Sequence, residues 1–193
     1  MTPRYPALAQ CIQQKALRRG SFRLVSGRTS TYYLDGKMLS FDPEGITLVV
    51  EALLAELEGS QFDAVGGMDM GATPIVSALA LRSFQLGRPI PTFTVRKAEK
   101  SHGTQKRIEG PLPPASRVVV VDDVVTSGGS IMQAADALRG EGHDVVLAVS
   151  VVDRDAGGRE LLAEAGIPYR PLVTLAELGI ANVEDATSSH AGA

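Results

Sequence analysis

The chain has 193 residues, 44% hydrophobic and 21% charged, with a formal net charge of −3 at pH 7, a length and balance that fit one domain with a sizeable core and exclude wholesale disorder. Mild acidity (pI ≈ 5.6) argues against a surface built to grip DNA or anionic membranes. The single cysteine, Cys11, excludes an internal disulfide and a cysteine-based zinc site. No apolar run approaches the ~20 residues of a membrane span. The opening MTPRYPALAQ lacks the charged-then-apolar pattern of a secretion signal, so a cytoplasmic location is expected.

Leu8, Ile12, Ala16 and Leu17 share one face of a predicted helix over residues 6–19, ended by Gly20. Two extended pieces follow, at 22–26 and 31–35, joined by the turn-forming pair Ser26–Gly27. Asp42–Pro43 reads as an N-cap followed by proline at the first helical position, starting a helix to Leu57. A strand at 62–66, a helix at 74–86 and a strand at 91–97 come next. Arg117–Val125 is a valine-dominated run, as expected of a central strand covered on both faces. A helix at 130–139, a strand at 145–152, a helix at 158–165 and a strand at 169–174 complete the series. This alternation predicts an α/β fold, a Rossmann-like parallel sheet of five strands flanked by helices. Residues 185–193 are small and polar and read as a frayed tail.

Residues 98–115 form an 18-residue connection with three prolines, two glycines and no apolar periodicity. Connections of that length inside a domain are functional lids or disordered segments. Arg96, Lys97, Lys100, Lys106 and Arg107 fall within residues 96–107, where only Glu99 opposes them. They read either as a solvated basic loop or as a mobile clamp for an anion.

The chemistry concentrates in 118–130, VVVVDDVVTSGGS. Four valines bury a strand, and two carboxylates, Asp122 and Asp123, stand at its C-terminal end, where open parallel sheets bind ligands. Thr126, Ser127, Gly128, Gly129 and Ser130 then lead into a helix, with the hydroxyls and flexible backbone that suit a phosphate. A phosphate cradle directly after two acids suggests a phosphorylated sugar, its hydroxyls held by the acids directly or through Mg²⁺ and water. Neither the nucleoside-triphosphate P-loop nor GxGxxG is present.

This string resembles the phosphoribosyl-diphosphate (PRPP) motif of the type I phosphoribosyltransferases. FRLVSGRTSTYYLDGK (22–37), RKAEKSHG (96–103) and VDRDAGG (152–158) resemble the base-binding hairpin, catalytic lid and base-contacting turn of that family's orotate-specific branch, in the same order. The resemblance implies transfer of the phosphoribosyl group from PRPP to orotate with Mg²⁺, in a homodimer whose lid is shared between subunits. It implies an N-terminal hood over 1–40 and a core over 41–184 carrying the lid. It assigns the diphosphate to Arg96, Lys97, Lys100 and His102, and the ribose hydroxyls to Asp122 and Asp123. The 5′-phosphate falls to 126–130, with Val124 and Val125 in the same PRPP-binding segment. Orotate falls to Thr126, Arg154 and backbone near Tyr33 and Leu34. Lys100, His102, Asp122 and Asp123 are the implied catalytic residues, with no direct protein-only metal site. Val25 and Gly71 stand where some relatives carry lysine, and backbone amides are the expected substitutes.

Two other functions share the phosphate motif: a purine-base transferase, and a non-catalytic PRPP-sensing regulator. The hairpin and Arg154 suit an anionic base, and no spare ~60–70 residues exist for a nucleic-acid-binding module. Cys11 reads as a small core residue or an idle thiol, and His143 and His190 lack partners at metal-ligand spacing. Tyr32 and Tyr33 alternate as strand residues do, one toward the core and one toward the site. Asp153–Arg154 alone equally suits a surface ion pair.

Overall fold

Successive residues of a strand point to opposite faces, and the valines of 118–121 use both. In the computed structural model, which describes residues 2–23, 29–97 and 107–180, they lie on β6 (Arg117–Val125) in the interior of a six-stranded sheet. Val118 and Val120 pack beneath α5 (Gly129–Gly140), against Ile131 and Leu138. Val119 and Val121 join the opposite core, with Leu53 of α3 (Pro43–Leu57) and Ile75 of α4 (Thr73–Gln85). Both faces of the strand are therefore dry, which is why its sequence is apolar without alternation.

On one side of β6 lie β3 (Ala64–Met68), β4 (Thr92–Val95) and β5 (Ile108–Glu109); on the other lie β7 (Asp144–Asp153) and β8 (Tyr169–Thr174). The five long strands run parallel, as predicted, but the sheet has a sixth: β5 pairs antiparallel with β4, Val95 opposite Ile108. Ile108 is buried with Phe93 and Val95, so Ile108–Glu109 of the predicted 98–115 lid belongs to the sheet edge. Two residues are too few to show a strand period, and only the neighbouring β4 reveals their state. Residues 98–106 lie outside the described residues.

Asp42 caps α3 as the sequence predicts, its carboxylate accepting from the Gly45 N–H at 2.8 Å, with Pro43 at the first helical position. The first predicted helix is corrected. α1 (Pro6–Cys11) runs into a single π-helical stretch (Ile12–Ala16), and Leu17 already begins β1 (Leu17–Arg23). β1 pairs antiparallel with β2 (Thr29–Leu34), Leu17 opposite Leu34, and Asp35 N–H donates to the Ala16 carbonyl at 3.1 Å. Cross-strand pairing overrides a helical pattern over these few residues. A short helix, α2 (Lys37–Ser40), follows β2. Leu8, Ile12 and Leu34 share the apolar cluster of α3 and β8, so the hairpin stands on the main core. Cys11 is buried there. The element α6 (Gly158–Glu164) covers the other face with Leu162. Among the described residues no helix is long and apolar enough to cross a membrane. The tail over 185–193, with His190, lies outside the described residues.

Candidate active site

The C-terminal end of β6 carries Asp122 and Asp123 into a cavity of about 660 Å³. Lys37, Asp69, Gly71, Arg96, Lys97 and Ser130 also line it, so acids and bases face one another across it. Asp122 is 7% exposed and accepts the Asp123 N–H at 3.0 Å, while Asp123 accepts the Val124 N–H at 2.9 Å. Burial pushes the Asp122 carboxyl up to about 7, the neighbouring charge of Asp123 pushes further the same way, and the Lys37 ammonium opposes both. Two such carboxylates are a hard-oxygen donor set suited to a divalent cation such as Mg²⁺. A cation there would relieve the repulsion between them. Another cavity of about 660 Å³ opens beside Leu57, Phe62 and Ile90, and none of the predicted site residues lines it.

Gly71 is explained by close approach. A Cβ on it would stand 2.6 Å from Asp122 Oδ1 and 2.9 Å from Asp123 Oδ1. No side chain, lysine included, fits at residue 71 without moving the acids. Lys37, from α2 just after the hairpin, supplies a cation to the same cavity instead. Asp69 is held by the Thr73 hydroxyl at 2.9 Å.

After β6 the chain turns at Gly128, whose φ of +79° favours glycine and whose Cβ would lie 3.3 Å from the Gly158 backbone. The turn and the start of α5 leave Thr126, Ser127 and Ser130 exposed and Gly129 half-buried. Val125 is buried and Val124 half-buried, so Val125 offers a ligand only its backbone.

Register places the predicted base-contacting residues beside this turn. Val125 pairs with Asp153 across β6 and β7, and the Arg154 N–H donates to the Val125 carbonyl at 2.9 Å, which sets Arg154 next to Thr126. An Asp153–Arg154 surface ion pair does not form. Asp153 is fully buried, faces Arg159 at 3.5 Å and accepts the Asp155 N–H at 3.0 Å. Adjacent residues leaving a strand diverge, and the Arg154 guanidinium goes to the hairpin, its Nε donating to Tyr32 Oη at 3.2 Å. Tyr33 is 46% exposed, with its ring 5.7 Å from that of Phe22, and Leu34 is buried.

Arg96 and Lys97 line the cavity, Arg96 reaching Glu109 at 3.9 Å. Lys100, His102 and Val25 fall outside the described residues. Lys37, Asp69 and Tyr32 were not among the residues the sequence assigned to the site. The hairpin motif contained Lys37 and Tyr32, but only the tertiary fold brings them to the acids and to Arg154. Among the described residues the three-ligand cluster Cys11, Asp42 and Glu44 is not open to a metal, because the Lys15 ammonium lies 2.6 and 2.8 Å from the two carboxylates.

Residues 41–165 match the model of the phosphoribosyl transferase domain family. An orotate phosphoribosyltransferase of Aquifex aeolicus is 42% identical over 174 residues, covering 89% of this chain and 95% of the relative. The crystal structure of the Mycobacterium tuberculosis H37Rv orotate phosphoribosyltransferase with Fe(III) dicitrate superposes with a TM-score of 0.82 at 34% identity, over 92% of this chain and 100% of that one. The same enzyme in complex with PRPP superposes with a TM-score of 0.78 at 31% identity, again over 92% and 100%. With the domain model spanning most of the chain and identity this high along nearly its whole length, the chain belongs to the orotate phosphoribosyltransferase family.

Proposed function

We propose that the chain transfers the 5-phosphoribosyl group of PRPP to orotate, releasing diphosphate and forming orotidine 5′-monophosphate for pyrimidine synthesis. The observation that carries this reading is the cavity at the end of β6, where carboxylates face cations and Arg154 stands beside the hydroxyl-rich turn. Asp122 and Asp123 hold the ribose hydroxyls, and the 126–130 turn receives the 5′-phosphate through hydroxyls and backbone N–H groups. Arg96, Lys97 and Lys37 line the same cavity and are the cations that meet the departing diphosphate on this reading. Asp122 and Asp123 are the residues that would stand beside Mg²⁺, held mainly through PRPP and water, and the ion would supply part of the positive charge that offsets the diphosphate.

The base nitrogen gives up its proton to solvent and attacks the anomeric carbon as the bond to diphosphate breaks, and that bond's electron pair leaves with the diphosphate. Charge grows on the leaving group, so preplaced cations and exclusion of water lower the barrier more than any covalent step would. Lys100 and His102 join the cations from the lid, with Gly103 as its hinge and the lid serving the neighbouring subunit of a cytoplasmic homodimer. Arg154 favours the planar carboxylate of orotate over an uncharged purine.

The test is the absorbance change of orotate on adding PRPP and Mg²⁺, with adenine and hypoxanthine assayed in parallel. Consumption of orotate alone is expected. Turnover of a purine instead would assign the chain to the purine branch, and PRPP binding without turnover of any base would make it a sensor.

A further inference from the structure

Arginine's guanidinium binds a carboxylate best when one edge of its fork is free and its plane is held. Arg154 has both properties, and one residue supplies the second. Its Nε donates to Tyr32 Oη at 3.2 Å, and its guanidinium carbon lies 5.1 Å from the centroid of the same ring. A hydroxyl on Nε and an aromatic face beside the group constrain both its rotation and its tilt. The two terminal nitrogens are left over, and among the described residues Arg154 forms no ion pair. Asp153, the nearest acid in sequence, faces Arg159.

Tyr32 is itself held. It is half-buried against the main apolar cluster, pairs with Arg19 across the hairpin, and its backbone carbonyl accepts the Ser30 hydroxyl at 2.7 Å. The hydroxyl therefore sits on a packed platform, and the hairpin is joined to the end of β7 across 122 residues of sequence.

Resting on the proposed orotate reading, we infer that Tyr32 is a positioning residue. It occupies Nε of Arg154 and turns the two terminal nitrogens toward the carboxylate of the base, so the hairpin sets base affinity through Arg154. Tyr32 does not touch the reacting atoms. Its loss raises the KM for the base and leaves the chemical step and PRPP binding in place.

The experiment is a double-mutant cycle on the purified full chain. Tyr32→Phe keeps the ring and removes the hydroxyl. It is expected to raise the KM for orotate about 3- to 10-fold, with kcat and the Kd for PRPP unchanged. Tyr32→Leu also removes the ring, and about 10- to 100-fold is expected. In an Arg154→Ala background Tyr32→Phe is expected to add nothing further to the KM, because the group it positions is gone. A merely structural role would instead lower the melting temperature and act equally in both backgrounds. An unchanged KM in Tyr32→Phe, or the same factor with and without Arg154, overturns the inference while leaving the orotate reading intact. A wild-type chain that does not consume orotate overturns both. Tyr32→Phe carries the test even where Tyr32→Leu fails to fold.

Discussion

The two halves of the proposed site are built differently. The sugar-phosphate half is local: Asp122, Asp123 and the 126–130 turn follow one another on a single strand end and the start of one helix. The base half is assembled from Tyr32 and Arg154, 122 positions apart, which meet because a hairpin standing on the main core reaches the end of β7. Contiguous residues can hold a phosphate, since a turn and a helix start already aim several N–H groups one way. Holding a planar anionic base at a set angle needs walls from separate elements. On the proposed reading, the difference teaches that the half that holds the sugar phosphate is a short motif, and the half that selects the base is a tertiary product.

The sharpest test of the local half is Asp122→Asn with Asp123→Asn, which keeps size and removes both charges. About a 10³-fold loss of turnover is expected in a folded protein, because the valines beneath hold the strand. A double variant that stays active but melts much earlier would make the pair structural, and the comparison would fail on its better-understood side.

Lys100→Ala comes next. A lysine meeting the departing diphosphate acts mainly in the transition state, so kcat should fall by about 10²-fold with little change in the Kd for PRPP. Mixing this variant with the Asp122→Asn/Asp123→Asn chain should restore activity, one intact site per heterodimer. No recovery in a verified heterodimer would mean that each chain uses its own lid.

On the base side, Arg154→Ala should raise the KM for orotate about 10- to 150-fold, the worth of one charge-assisted hydrogen bond. PRPP affinity should not move, and Arg154→Lys should recover part of the loss. Equal losses for orotate and PRPP would erase the division between the two halves.

Lys37→Ala should weaken PRPP about 5-fold at low salt, and less as salt rises, since Lys37 is exposed where it lines the cavity. Titration calorimetry at two ionic strengths reads this directly. An effect confined to orotate would move Lys37 to the base half.

The smallest effect expected is on stability. Asp122 binds its proton more tightly in the fold, with its pKa raised to about 7 chiefly by burial, than in the unfolded chain. The stability linked to that proton is therefore full below about pH 4 and lost as pH rises through about 7. Without substrate or Mg²⁺, Asp122→Asn should melt above the wild type at pH 8, with the gap closing toward pH 4. A gap that is the same at both pH values would remove burial of this carboxylate as its cause.

The parallel sheet, the capped helix at Pro43–Leu57 and the acid-then-hydroxyl string at 118–130 were determined by the sequence alone. Each rests on neighbours in the chain: a run of valines needs two covering layers, Asp42 caps its own helix, and glycine is demanded where φ turns positive. The tertiary structure decided the rest. Leu17 left its helical pattern because Leu34 lies opposite it, and Ile108 became a strand because Val95 offered an edge. A side chain at position 71 would have to displace two carboxylates from β6, and Lys37 reaches the cavity from beyond the hairpin. Arg154 is held by a tyrosine from the other end of the chain. These outcomes depend on which surfaces meet, and a contact between distant residues leaves no period, cap or turn in either segment that makes it.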